Sequence, residues 1–384
     1  MIYFDHNAST PVRPEVAAAM MACLTDVHAN PSSAHREGQR ARAAVERARE
    51  QVGALVGAAP EQVVFTSGGT EGDHAGLIGL AWAADARGKR VAISTIEHHA
   101  VHGAAEVLLR QGWTVDHLAV DASGRVDPLS VERLPVDTTV VAVMLANNET
   151  GAVQPVAELS ARAAPVGQRV LCDAVQAAGK IPIRLDDLGV DALVISGHKF
   201  GGPKGAGALI VKKGVRFEPL FRGSGHERGR RGGTENVPGI VGLGVAAASA
   251  ADELASESAR LLALRSRLER GIRSVLPDVV IHAERTPRLP NTVNLSIPGA
   301  RSDHLLMALD ARGVEVSAGA ACSSGAVEPS PVLTAMNVPR ELAVCALRLS
   351  MGRTTREDEV DRVIAALVES AAAARTLTAA RARA

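Results

Sequence analysis

Lys199 closes the run Ser196-Gly197-His198-Lys199, behind an apolar stretch at 192–195 and ahead of a Gly-rich turn. An amine at a strand end, walled by apolar sequence, is partly desolvated. Desolvation lowers a lysine pKa toward the range where the free amine attacks a carbonyl. That run alone equally suits a solvated surface lysine, the commoner fate of this residue type. Asp173 changes the balance. It ends the strand-like run 169–173 and precedes Ala174-Val175-Gln176. A lysine that forms a Schiff base with pyridoxal phosphate needs a carboxylate that keeps the pyridinium nitrogen protonated, so that the ring can accept electrons from a carbanion. Asp173 and Lys199 end two successive predicted strands, so both can project into one crevice. Asp173 also reads as a helix N-cap, and the two roles are compatible. A third element, Ser67-Gly68-Gly69-Thr70, lies between a predicted strand at 62–66 and a helix. Its glycines and the helix N-terminus suit a phosphate, although an ordinary βα loop reads the same way. The turn lacks the Lys-Ser/Thr ending of a P-loop, and no G-x-G-x-x-G opens a first βα unit, which disfavours nucleotide binding.

Cys322 has a different setting from the other cysteines. It sits in Ala318-Gly319-Ala320-Ala321-Cys322-Ser323-Ser324-Gly325, with no bulky apolar neighbour. Free cysteines are usually buried and inert, and Cys23, Cys172 and Cys345 fit that pattern within apolar runs. Cys322 reads instead as an exposed thiol on a flexible loop, suited to a nucleophile that must travel. Four cysteines at these spacings form neither a zinc site nor a disulfide framework, and no metal site is expected.

The elements that must position these groups follow from pattern. Apolar strand-like runs at 62–66, 90–94, 114–120, 139–146, 169–173, 192–196 and 207–211 alternate with helical stretches such as 75–86 and 100–110. That alternation predicts an α/β fold with a mixed, mostly parallel seven-stranded sheet flanked by helices. Residues 11–57 read as long helical pieces. From about 238 the pattern changes to one long helical region, 241–276, then short strands at 291–296 and 346–350. The expected division is a large domain, 13–255, and a smaller α+β domain built from 1–12 and 256–384, which carries the Cys322 loop at about 316–330.

The chain has 384 residues, 46% hydrophobic and 22% charged, as a globular protein does. Aromatics are only 2%, so Ala, Val and Leu must build the core. The 42 basic residues balance the 42 acidic ones, which leaves no global electrostatic footprint for nucleic acid or an anionic membrane. The N-terminus does not read as a signal peptide, and the apolar stretch 239–251 is too short to span a bilayer. A reducing cytoplasm is the default expectation.

Several runs together resemble the cysteine desulfurases of the NifS/IscS type. They include Tyr3-Phe4-Asp5-His6-Asn7, Thr66-Ser67-Gly68-Gly69-Thr70-Glu71, Glu97-His98-His99, Ala146-Asn147-Asn148-Glu149, Asp173-Ala174-Val175-Gln176, Ser196-Gly197-His198-Lys199, Gly233-Thr234-Glu235-Asn236, Cys322-Ser323-Ser324-Gly325 and Leu347-Arg348-Leu349-Ser350. They occur in the family's order and span nearly the whole chain. The chain departs from the family at Gly72-Asp73-His74, where a small residue and two asparagines are usual.

The resemblance implies a fold-type I, aminotransferase-like homodimer that binds pyridoxal 5′-phosphate. It implies Lys199 as the Schiff-base lysine and Asp173 as the partner of the pyridinium nitrogen. Gln176 and Asn148 would contact the phenolic oxygen, and His98 would stack on the ring and move protons with a pKa near neutrality. His98 also reads as a helix cap. Gly69, Thr70, Ser196 and His198 would hold the phosphate, with Thr234 supplied by the second subunit. Arg348 would clamp the substrate carboxylate through a bidentate guanidinium, with Asn148 and Asn7 beside it; a strand-end surface arginine is the plainer reading. The implied reaction turns L-cysteine into L-alanine and leaves the sulfur on Cys322 as a persulfide. A protein acceptor, such as an iron–sulfur scaffold or a tRNA-thiolation enzyme, would take it on. A selenocysteine lyase, or another pyridoxal-dependent lyase or aminotransferase, is the alternative on the same scaffold.

Overall fold

β-Branched and leucine-rich runs bounded by Gly, Pro and Asp form the strands, and Ala-rich runs form the helices between them. The computed structural model describes residues 1–84, 86–318 and 328–381. β1 (Ile2–Tyr3), α1 (Pro14–Asp26) and α2 (Arg36–Val56) open the chain. β2 (Val63–Thr66), α3 (Gly69–Ala83), β3 (Arg90–Ser94), α4 (His99–Arg110), β4 (Thr114–Leu118) and β5 (Thr138–Ala142) follow. Then come α5 (Val156–Ala163), β6 (Arg169–Asp173), α6 (Leu185–Leu188), β7 (Ala192–Ser196) and β8 (Gly207–Val211). After α7 (Val237–Val275) lie β9 (Val280–Ile281), β10 (Thr292–Ser296), α8 (Ser302–Asp310), β11 (Val314–Glu315), α9 (Pro331–Ala335), α10 (Arg340–Ala343), β12 (Ala346–Ser350) and α11 (Glu357–Arg381).

The central sheet has the order β2-β8-β7-β6-β5-β3-β4. β8 runs antiparallel to both β2 and β7, and the remaining pairings are parallel. β5 to β8 are almost wholly buried, as a sheet covered on both faces requires. Because β6 and β7 are parallel neighbours with Asp173 opposite Val194, the turns after both strands emerge at one edge. α3 lies close on the sheet because its facing positions are glycines. A Cβ at Gly72 would come within 2.5 Å of Val194, and one at Gly76 within 2.7 Å of Leu171.

A second apolar cluster gathers Ile2, Phe4, Leu264, Leu268, Leu295, Leu347, Leu349 and Val363 from the chain's two ends. It packs on the three-stranded sheet β12-β10-β9 and on the β1-β11 pair. α7 bridges the two cores: its first half is buried through Gly242, Leu243, Ala246 and Ala247, and its second through Leu261, Leu264 and Leu268. By length and composition α7 could cross a membrane, contrary to the reading of the 239–251 stretch as too short. In the fold its apolar stripe is spent against α1 and α2.

Several boundaries differ from expectation, among them β4, which ends at Leu118 rather than at 120. α3 begins at Gly69, where the Gly-rich turn was expected to open a helix, and it ends at Ala83 rather than at 86; packing on the sheet overrides the low helix propensity of its glycines. β5 ends at Ala142, and residues 143–146 continue as extended chain bonded to β6 through Val143 N–H on Leu171 O and Leu145 N–H on Asp173 O. β1, β9 and β11 have two residues each, too short for a periodic pattern to mark them.

Candidate active site

The parallel strands deliver their C-terminal turns to one crevice, the usual place for a ligand in such sheets. A cavity of about 320 Å³ lies there, lined by Ala8, Gly69, Thr70, Asp73, His98, Met144, Ala146, Asn148, Asp173, Val175, Gln176, Ser196, His198 and Lys199. Nine of the predicted site residues are among them. Arg348, Asn7 and Thr234 lie outside its lining, and Cys322 falls outside the described residues.

Lys199 ends the short turn after β7. Its Nζ donates to the carbonyl of Asn7 at 2.5 Å and to that of Ala8 at 3.0 Å. Burial, and then the positive field of Arg348, lower its pKa to about 8, with Asp173 and Asp5 pulling the other way. Asp173 is buried at the end of β6, and its Oδ1 accepts the Val175 N–H at 2.8 Å. Burial raises its pKa to about 6, opposed by that N–H and by Lys199.

The anion end is built by backbone. Gly68 has φ 152°, a region open to glycine but not to other residues. A Cβ on Gly69 would meet Val175 Cγ2 at 2.9 Å, so only glycine brings the N-terminus of α3 this close to the β6 turn. Ser196 and His198 border the same space.

His98 does what both of its expected roles require. It is the N-cap of α4, its Nδ1 accepting the Ala100 N–H at 3.1 Å, and its ring lines the cavity. The neutral ring therefore carries its proton on Nε2. Its pKa does not lie near neutrality: burial, then Lys199, lower it to about 4.

Gln176 donates from Nε2 to the Asn7 carbonyl at 2.8 Å. Asn7's own amide is committed elsewhere. It donates to Asn148 O and Thr292 Oγ1 and accepts from Asn291, so the part of Asn7 beside the site is its carbonyl. Arg348 is buried on β12, bonded at 2.6 Å to Asp5 Oδ1 and at 3.1 Å to Asn148 O. Among the described residues its enclosed Nε has no partner. Thr234 is exposed in the loop that precedes α7, next to Arg231, which pairs with Glu71 at 2.9 Å.

Sequence reasoning missed four groups. Asp5 takes the Arg348 guanidinium. Lys180, one turn beyond Gln176, donates to Gln176 O at 2.9 Å and to Oε1 at 3.0 Å. Asp73, at a position where asparagine is usual, is 1% exposed and its Oδ1 has no partner. Burial, then Asp173 and Glu97, push its pKa well up. Glu97 accepts from Ser94 Oγ and from the Met144 N–H, and burial raises it to about 8. The local signal for Asp73 was its departure from the expected asparagine. For the others no short-range pattern exists.

The sequence pattern described as Aminotransferase class-V matches residues 2–363. The chain belongs to the class V aminotransferase family. Cysteine desulfurase IscS of Dictyoglomus turgidum is 44% identical over 359 residues, covering 93% of this chain and 91% of that protein. A solved NifS-like protein superposes with a TM-score of 0.88 at 37% identity, over 96% of this chain and 98% of its own. The solved complex of SspA with cysteine matches with a TM-score of 0.82 at 33% identity, over 92% and 99%. These neighbours carry the fold-type I architecture expected from the alternating strands and helices.

The family is dependent on pyridoxal 5′-phosphate, and the cavity fits that group. Its acid, Asp173, and its amine, Lys199, stand on adjacent strand ends. Its glycine cradle leaves space against Val175 that any Cβ would take. The helix N-terminus, Ser196 and His198 provide donors for a phosphate.

Proposed function

We propose that this chain is a cysteine desulfurase, converting L-cysteine to L-alanine and passing the sulfur to Cys322. The observation that supports it most is that Asp173 and Lys199 line one cavity, in a chain that shares 44% identity with a cysteine desulfurase. Lys199 would carry pyridoxal phosphate, Asp173 would hold its ring nitrogen, Asn148 and Gln176 would face its phenolic oxygen, and Gly69, Thr70, Ser196 and His198 would hold its phosphate. When bound there, the cofactor supplies a sink for the electron pair left at the substrate Cα.

The protein's own groups supply the rest. Lys199, lowered to about 8, is a usable base near neutral pH and takes the Cα proton. Arg348 clamps the substrate carboxylate in exchange for Asp5, which now occupies the guanidinium at 2.6 Å. His98, with its Nδ1 held by the α4 backbone, offers the Nε2 proton and cannot readily hold a second one. The Cys322 thiolate attacks the substrate sulfur. The S–S bond forms as the Cβ–S bond breaks, the electron pair goes to the carbon fragment, and protonation releases alanine. Cys322 keeps the outer sulfur as a persulfide for a protein acceptor, such as an iron–sulfur scaffold or a tRNA-thiolation enzyme.

The large domain is taken as 13–255 and the smaller as 1–12 with 256–384. The working form is a homodimer in which Thr234 reaches the partner's phosphate site. A reducing cytoplasm suits the free, buried Cys23, Cys172 and Cys345.

Mass spectrometry after L-cysteine treatment, wild type beside Cys322→Ala, tests the reading. One added sulfur atom on Cys322, with alanine released and both lost in the variant, is expected. Undiminished alanine in the variant would remove Cys322 from the mechanism and favour a generic lyase. Turnover that requires a keto acid would make the protein an aminotransferase.

A further inference from the structure

Lys180 is a buried lysine without an acid. Its residue is 6% exposed, and among the described residues no carboxylate pairs with it. Burial, then Lys199 and Arg348, lower its pKa to about 7. His6 lines a cavity with Lys180, both of its ring nitrogens are unpartnered among the described residues, and burial, then Lys180 and Arg260, lower that ring to about 4. Placing a cation among cations inside a protein is unfavourable by several kcal/mol unless its hydrogen bonds repay the desolvation. The hydrogen bonds that Lys180 makes both go to one residue, Gln176, at its carbonyl and at its side-chain Oε1.

The consequence falls on the Gln176 amide. An amide can present either its oxygen or its nitrogen to a site, and the surroundings decide which. Lys180 offers N–H donors to both oxygens, and the ammonium and the neutral amine each have enough hydrogens to serve them. With Oε1 pinned, Nε2 is the end left for the Asn7 carbonyl and the cavity. One of its hydrogens serves Asn7, and among the described residues no acceptor takes the second. The same Asn7 carbonyl takes Lys199 Nζ, so a continuous chain runs from Lys180 through Gln176 and Asn7 to Lys199.

We propose that Lys180 is a positioning residue that makes Gln176 an obligate hydrogen-bond donor into the cavity, and through it to the phenolic oxygen of bound pyridoxal phosphate. The inference rests on the cofactor reading above. It deepens that reading by assigning Gln176 one orientation and naming what enforces it.

The test uses the holoenzyme and reads the visible absorbance of the Lys199–cofactor adduct against pH. In Lys180→Met the Gln176 oxygen loses its donor and only the Asn7 carbonyl still orders the amide, so the amide can give up that one bond and turn its oxygen to the cofactor oxygen, and the adduct holds its proton to higher pH. An upward midpoint shift of about one pH unit is expected. A direct charge effect of Lys180 has the same sign, so the variant is repeated in a Gln176→Leu background. If Lys180 acts through Gln176, the shift vanishes there. An equal shift in both backgrounds, or none in either, overturns the proposal. Should Lys180→Met fail to fold, Lys180→Gln fills the space with an amide that either donates or accepts, and it too is expected to shift the midpoint upward; a wild-type midpoint overturns the proposal. A wild-type protein with no such absorbance defeats the cofactor reading and this inference together. A normal wild-type titration beside an unshifted variant defeats this inference alone.

Discussion

Asp73 shows how one residue can carry a pH dependence for the whole fold. Its carboxyl is enclosed, its Oδ1 has no hydrogen bond, and Asp173 and Glu97 add like charge to the burial that raises its pKa. Folded, it binds a proton over a range in which the unfolded chain has released it. Stability therefore falls as pH rises from the ordinary carboxyl value of 3.8 toward the folded-state value. Asp73→Asn keeps the shape and removes the titration. Its melting temperature is expected to exceed that of wild type by a few degrees at about pH 8 and by less at about pH 5. Calorimetry of cofactor-saturated samples reads this directly, and an equal gain at both pH values would show that ionisation of Asp73 is not involved. Lys199 and Asp173 stand at or just past the ends of apolar runs, where the local pattern marks them, whereas His98, four residues beyond β3, was legible only through the family resemblance. The groups that complete the site do not announce themselves: Lys180 works by a bond back to Gln176, and Asp5 by one to Arg348 across 343 positions.

The strands that hold the site were the clearest elements in the sequence. Runs at 90–94, 169–173, 192–196 and 207–211 have the same ends in the fold, because strands buried in a covered sheet must be continuous in Val, Leu, Ile and Ala and stop where polar or turn residues begin. The loop before α7 was opaque by comparison. Its backbone takes left-handed conformations at Glu227, φ 49°, and Arg228, φ 57°, which a charged run such as Arg228-Gly229-Arg230-Arg231 does not signal. Glu227 explains why the strain is held. It accepts from Arg49 through both oxygens, at 2.7 and 3.0 Å, and from the Phe65 N–H at 2.9 Å. Its side chain is 2% exposed and that of Arg49 is 5%. Without Glu227 the buried Arg49 would lose its bidentate partner and keep only Glu46 at 3.3 Å and the Val63 carbonyl at 2.8 Å. Glu227→Ala is expected to lose about 3–5 kcal/mol of stability in denaturant unfolding, and the exposed segment around Thr234 should become open to limited proteolysis. A loss within half a kcal/mol would mean that Arg49 finds another partner.

At the scale of the molecule, the chain's two ends fold together, and the N-terminal segment threads between the cores. Asn7 bonds to Thr292 and Asn291 on one side, while its carbonyl receives Lys199 and Gln176 on the other. The site is therefore completed by contacts more than a hundred residues apart, and the sequence could supply the participants but not the meeting. In the proposed homodimer, Thr234 would extend the same logic beyond one chain. It is exposed and borders no part of the cavity lining in its own subunit. A threonine that serves the phosphate only in the partner can be tested by complementation. On that reading Lys199→Ala and Thr234→Ala subunits would each be defective alone. A mixed dimer would contain one site with Lys199 from the second subunit and Thr234 from the first, both intact. Co-expressed and separately tagged, the mixed dimer is expected to recover one full-affinity pyridoxal phosphate site per two chains, with alanine formation near half that of wild type. If Thr234 instead acted within its own chain, no site in the mixed dimer would hold both residues, and its cofactor affinity would stay at the level of Thr234→Ala.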